Sequence, residues 1–117
     1  MGKRDYMPQP GIGRPAQKAS FYHQICFSRH ELNQILSIYS RHVIAGDWCD
    51  YALEVGPNEA AFTIFGQRAR IPAYRIVKRR QKLRRYRLIE PGGRIVAMGN
   101  ELRSVLSTIT RPKLRLM

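Results

Sequence analysis

One long amphipathic stretch, a series of short alternating segments separated by turns, and a closing shorter helical stretch predict an α+β domain for this 117-residue chain. The expected architecture is an antiparallel four- to five-stranded sheet with one long and one short helix packed on one face. The other face is expected to be partly open. The length fits one small domain with a single core.

The first twenty residues set Pro8, Pro10, Gly11, Gly13 and Pro15 among Lys3, Arg4, Arg14 and Lys18, with little to bury. They read as a disordered basic arm, residues 1–20, ahead of a folded domain at 21–110. Phe21 to Phe27 alternates and is read as a short strand. Ser28-Arg29-His30-Glu31 is a capping box, in which the Ser28 hydroxyl accepts from the Glu31 N–H and the Glu31 carboxylate accepts from the Ser28 N–H. Leu32, Ile35, Leu36, Tyr39 and Val43 follow as one apolar stripe, and Gly46 supplies a left-handed stop. The helix is therefore placed at about 29–45.

Beyond Trp48 the period falls to two. Tyr51, Leu53 and Val55 alternate with Ala52 and Glu54, Gly56-Pro57-Asn58 makes a turn, and Ala61 to Phe65 returns as the partner strand. Gln67 to Pro72 reads as a connection and Ala73 to Lys78 as the next strand. Pro91-Gly92 fits the centre of a type II turn, joining strands at Tyr86–Ile89 and Arg94–Ala97. A short helix capped by Asn100 is expected to bury Leu102, Val105, Leu106 and Ile109. Pro112 stops it, leaving residues 111–117 as a basic C-terminal tail.

Charge is distributed unevenly. Residues 1–66 hold six Lys/Arg against six Asp/Glu, whereas residues 67–117 hold fifteen against Glu90 and Glu101, so the whole formal charge of +13 lies in the second part. Its densest run is Lys78 to Arg87, where seven of ten residues are Lys or Arg. Like charges resist packing together, so such a run persists where it is solvated or meets a polyanion. Cys26 and Cys49 are too few for a disulfide framework and fit a reduced compartment. With no apolar signal core after the basic start and no run of membrane-spanning length, the expected location is cytoplasmic.

The segments RHELNQILSIYSRHV, GDWCDYALEV, FTIFGQRARIPAYRIVKR and PGGRIVAMGNELRSVL, in that order, resemble the alphaproteobacterial proteins grouped as domain of unknown function 2794. The resemblance runs from about Phe27 to Leu106. It implies a bacterial, cytoplasmic, single-domain protein and brings no catalytic residues.

The functional expectation rests on the basic block. As the loop of a hairpin, Lys78, Arg79, Arg80, Lys82, Arg84, Arg85 and Arg87 would project past the sheet and bind the phosphates of RNA or DNA. Arg68, Arg70, Arg75 and Arg94 would extend that surface. Tyr74 and Tyr86 sit where they would either stack on bases or fill core positions. The alternative is an adaptor that docks an acidic partner protein on the same basic edge.

Other constellations carry less. His23, Cys26, His30 and Cys49 have suggestive zinc spacing, but strand alternation turns His23 and Cys26 to opposite faces, so no metal or cofactor is expected. Asp47-Trp48-Cys49-Asp50 reads as a turn with Trp48 anchoring the helix on the sheet. Gly92-Gly93 lacks the strand-to-helix setting of a phosphate loop. No catalytic constellation or small-molecule substrate emerges, and neither helix has the lysine-rich face that favours membrane binding.

Overall fold

The computed structural model describes residues 24–66 and 72–109. The expected N-terminal arm and C-terminal tail therefore lie outside the described residues. Helix α1 spans Arg29–Ala45 and begins at the capping box: Glu31 N–H donates to Ser28 Oγ at 3.1 Å, and Ser28 N–H donates to Glu31 Oε1 at 2.7 Å. Gly46 ends it at φ 87°, a left-handed conformation that costs glycine no Cβ clash. Ile35 is fully buried, with Leu32, Leu36 and Tyr39 packed around it. Val43, the last member of the expected stripe, is 38% exposed, because α1 ends just beyond it.

Five strands follow: β1 (Trp48–Glu54), β2 (Glu59–Gly66), β3 (Pro72–Arg79), β4 (Tyr86–Ile89) and β5 (Ile95–Gly99). Each pairs antiparallel with the next in chain order, so the sheet is a simple meander. Register aligns Leu53, Phe62, Ile76, Leu88 and Ala97 across all five strands. Phe62, Ile76 and Leu88 are completely buried there, forming the centre of the core. Helix α2 (Leu102–Leu106) covers β4 and β5 on the same face, while α1 lies over β1. The fold is thus α+β, with both helices on one side.

Alternation sends the intervening residues to the outer face. There Ala61, Val77, Arg87 and Met98 form one row, and Ala52, Thr63, Arg75 and Ile89 the next. Ala61 and Val77 are buried although no helix of the described residues covers that face. Met98 is exposed.

Three local expectations change. Within the predicted strand at Phe21–Phe27, the described residues form only an isolated bridge, Ile25 to Gly56; Phe27 then turns into the core ahead of α1. The β4–β5 turn places its positive φ on Gly93 (91°) rather than Gly92, with Gly93 N–H donating to Glu90 C=O at 2.8 Å. This is a type I turn followed by a left-handed residue, the usual three-residue hairpin loop. Glu101, without a side-chain cap, stands at the N-cap of α2, because Asn100 is engaged elsewhere.

Candidate nucleic-acid interface

Strand alternation divides the basic run before any ligand is considered. Tyr74, Ile76 and Lys78 share the helix-covered face of β3, so Lys78 carries its ammonium inward beneath the start of α1. Its Nζ donates to Glu31 Oε1 at 2.9 Å and to the Cys26 carbonyl at 3.0 Å. The pair is well enclosed, with side-chain exposures of 15% for Lys78 and 11% for Glu31. Tyr86, across from Lys78 on β4, donates its hydroxyl to Glu31 Oε2. One carboxylate therefore caps α1 and joins it to β3 and β4.

The electrostatics follow from that geometry. Burial pushes the Glu31 carboxyl up, but hydrogen bonds from Tyr86, the Ser28 N–H and Lys78, with the Lys78 charge, outweigh it and hold the group below its ordinary value. Burial and then the hydrogen bond and charge of Glu31 push the Tyr86 hydroxyl up to about 12.

From Arg80 onwards the run is a loop held at both sides. The hairpin closes where Arg79 N–H donates to the Arg85 carbonyl at 2.8 Å. Arg80 N–H donates to Asn58 C=O at 2.9 Å and Arg80 Nε to Pro57 C=O at 2.8 Å, fastening the loop to the β1–β2 turn. On the opposite side, Arg84 N–H donates to Asn100 Oδ1, fastening it to the β5–α2 connection. Arg84 itself adopts φ 54°, the one positive φ outside glycine among the described residues. Lys82, Leu83 and Arg84 are exposed, and Arg79 and Arg85 are half-buried. Arg85 reaches back towards the carbonyls of Gln81 (3.5 Å) and Arg80 (3.4 Å).

Among the described residues, no carboxylate forms an ion pair with Arg79, Lys82, Arg84 or Arg85. By contrast, Arg75 lies between Glu54 (3.5 Å) and Glu59 (3.4 Å), and Arg94 grips Glu90 with both Nε (2.7 Å) and Nη2 (3.2 Å). Those two, expected to extend the surface, already have anions. Arg68 and Arg70 lie outside the described residues. Arg87 points to the outer face beside Val77, its Nε enclosed and without a hydrogen-bond partner among the described residues.

The basic run thus contributes Arg79, Arg80, Lys82, Arg84 and Arg85 to one hairpin end, while Lys78 and Arg87 stand apart on opposite faces of the sheet. Neither tyrosine offers a stacking platform beside the loop. Tyr86 is tied to Glu31, and Tyr74 makes an edge contact with Trp48 at 6.2 Å. Sequence reasoning missed Asn58 and Asn100 as loop anchors; a turn asparagine gives no signal of which neighbouring loop it will meet.

The segment Asp47 to Asp50, expected as a turn, instead opens β1 from Trp48 onward, and His23 of the suggested zinc set lies outside the described residues. Trp48 is buried and stacks on His42 at 3.9 Å, and His42 Nδ1 lies 3.0 Å from Asp47 Oδ2. Asp50 Oδ1 accepts from the N–H of Tyr51. Cys26, His30 and Cys49 are not brought together, and the described residues contain no cluster of three metal-ligating side chains. No helix among the described residues is long and apolar enough to cross a membrane.

No curated protein and no solved structure matches this chain. A family model does, over residues 25–106, a span that begins at the Ile25 bridge, takes in the whole sheet and the basic hairpin, and ends with α2. With most of its length so matched, the chain belongs to the family described as "Protein of unknown function (DUF2794)".

Proposed function

We propose that this protein is a non-enzymatic, cytoplasmic module that binds nucleic acid through the phosphate backbone, using the β3–β4 hairpin loop. The supporting observation is the loop itself: Lys82, Arg84 and Arg85 are presented without ion pairs among the described residues, on a backbone fastened to Asn58 and Asn100. A pre-ordered cationic loop loses less conformational entropy on meeting a polyanion than a flexible one. Guanidinium forks suit phosphate oxygens, and phosphate contacts fix position without reading sequence. Arg79 and Arg80 complete the set.

The test is binding of nuclease-treated protein to labelled single- and double-stranded RNA and DNA across a salt series. Neutralising about four phosphates gives a log K against log salt slope near −3 to −4, a loss of roughly two decades between 50 and 200 mM salt. Changing Arg79, Arg80, Arg84 and Arg85 together to Ala should abolish the steep slope. Absence of binding at low salt, or a slope near zero, would refute the reading and turn the search to an acidic protein partner.

A further inference from the structure

At the far edge of the sheet from β5 lies a surface of different character. β1 is an edge strand, and every residue from Cys49 to Glu54 is exposed, a pattern shared by no other strand. Register sorts these residues into two rows. Tyr51 and Leu53 stand opposite Ile64 and Phe62 on the helix side, with Val55 beyond them; Asp50, Ala52 and Glu54 stand opposite Phe65, Thr63 and Ala61 on the outer side. Leu53 is 47% and Val55 52% exposed. Tyr51 is held in place by stacking on Phe62 at 4.6 Å and an edge contact with Tyr39 at 5.1 Å.

Among the described residues, no strand pairs with the outer edge of β1. The N–H of Tyr51 donates at 2.8 Å to the carboxylate of its own neighbour Asp50, so it faces away from β2 and is satisfied only locally. By alternation the N–H of Leu53 faces the same way. Just past β1, in the turn to β2, a strand-like contact is already made: Ile25 pairs antiparallel with Gly56, its N–H donating to the Gly56 carbonyl at 2.7 Å. The chain then leaves for α1, and the pairing stops. β1 contains neither proline nor lysine, the residues that commonly guard such edges.

We infer that the free edge of β1, from Asp50 to Val55, is a strand-addition site for an extended peptide segment in which basic residues alternate with apolar ones. Added main-chain pairing supplies affinity, and alternate side chains supply selection. Apolar residues of the incoming strand lie beside Tyr51, Leu53 and Val55, while its basic residues meet Asp50 first and then the exposed side of the Glu54 carboxylate, which also lies 3.5 Å from Arg75. The cationic loop adjoins only the Val55 end of this edge, where Arg80 bonds to Pro57 and Asn58; Asp50 stands at the other end, and exposed charges are largely screened beyond about 8–10 Å at ordinary ionic strength. The inference is independent of the nucleic-acid reading.

The chain's own sequence supplies a probe, since Lys113-Leu114-Arg115-Leu116 has the required alternation. A synthetic peptide of residues 111–117 is titrated into the full chain and followed by backbone amide shifts and hydrogen exchange, alongside a peptide carrying Lys113→Glu and Arg115→Glu. The expected result is protection centred on the Tyr51 and Leu53 amides, with the acidic peptide bound roughly 10-fold more weakly and Asp50→Lys weakening the basic one about 3–10-fold. Leu53→Pro removes an outward N–H at an edge position where proline is tolerated, and should eliminate binding. Should that variant fail to fold, Asp50→Lys and the acidic peptide decide. Equal binding of both peptides, or shifts that spare β1, would overturn the inference. So would self-association through β1 without peptide binding, which would make the occupant a second copy.

Discussion

Lys78 and Arg84 belong to one unbroken run of positive charge, yet the fold gives them opposite circumstances. The Lys78 ammonium is enclosed at 2.9 Å from Glu31 and shares that carboxylate with Tyr86 and the cap of α1. Arg84 is exposed at a turn, bonded through its backbone to Asn100, with no ion pair among the described residues. A buried charge whose partner is removed is costly, whereas an exposed one contributes little to stability. The comparison separates the two ends of the run: Lys78 holds the sheet against α1, whereas Arg84 leaves its charge in solvent, where the proposed function would use it.

The largest effect should come from Glu31→Ala. It removes the capping box, leaves the Lys78 ammonium half-enclosed without its anion, and deprives Tyr86 of an acceptor. The expected loss is about 3 kcal/mol, the lower end for breaking a buried pair, read from the midpoint of urea unfolding. Loss below ~1 kcal/mol would mean that the network is no more than a surface contact. Lys78→Ala should cost about 2 kcal/mol while leaving the salt slope of nucleic-acid binding unchanged. If Lys78→Ala instead lowered the slope by one, its ammonium would be leaving Glu31 for a phosphate, and the division between the two ends would fail.

Proton linkage gives a second way to sharpen the contrast. Glu31 is held below its ordinary value, so its contribution is fully present above the unfolded value near 4.5 and is lost as pH falls through the folded value. Tyr86 is raised to about 12, so its contribution is present below the ordinary value of 10.0 and lost as pH rises towards 12. Glu31→Gln should flatten the acid limb of the stability profile and Tyr86→Phe the alkaline limb, both followed by chemical denaturation. An unchanged acid limb in Glu31→Gln would separate Glu31 from the network. Charge changes at Lys82 and Arg84 should move neither limb, whereas removing Arg85, whose charge and hydrogen bond oppose the rise at Tyr86, should extend the alkaline limb further.

Much of this fold is legible in the sequence because it depends on local patterns. The Ser28–Glu31 capping box and Gly46 set α1 within a residue, and the alternations at Tyr51–Val55 and Ala61–Phe65 locate the first hairpin. The strand expected at Phe21–Phe27 illustrates the limit: alternation alone cannot say whether a neighbour is available, and Ile25 finds only Gly56. The site was half legible. Clustered arginines point to an anion surface, but the alternation Tyr74-Ile76-Lys78 already put Lys78 on the core side, a signal hidden by the strength of the charge run. That Glu31 would be its partner depends on packing α1 across β3 and β4, a contact between residues 47 apart in the chain.

The smallest expected effect bears on the loop alone. Arg84 holds φ 54° at a turn, a conformation that crowds the Cβ of an L-residue and that glycine adopts freely. Arg84→Gly therefore relieves local strain while keeping the N–H that donates to Asn100, and should raise stability by roughly 0.5–1 kcal/mol. It also deletes one guanidinium, so the slope of log K against log salt should shallow by about one. A variant that is more stable yet binds less steeply would show that arginine is kept at a glycine-favouring position for its charge. A variant that gains stability and binds with an unchanged slope would take Arg84 out of the phosphate contacts, leaving Arg79, Arg80, Lys82 and Arg85 to account for the charge dependence.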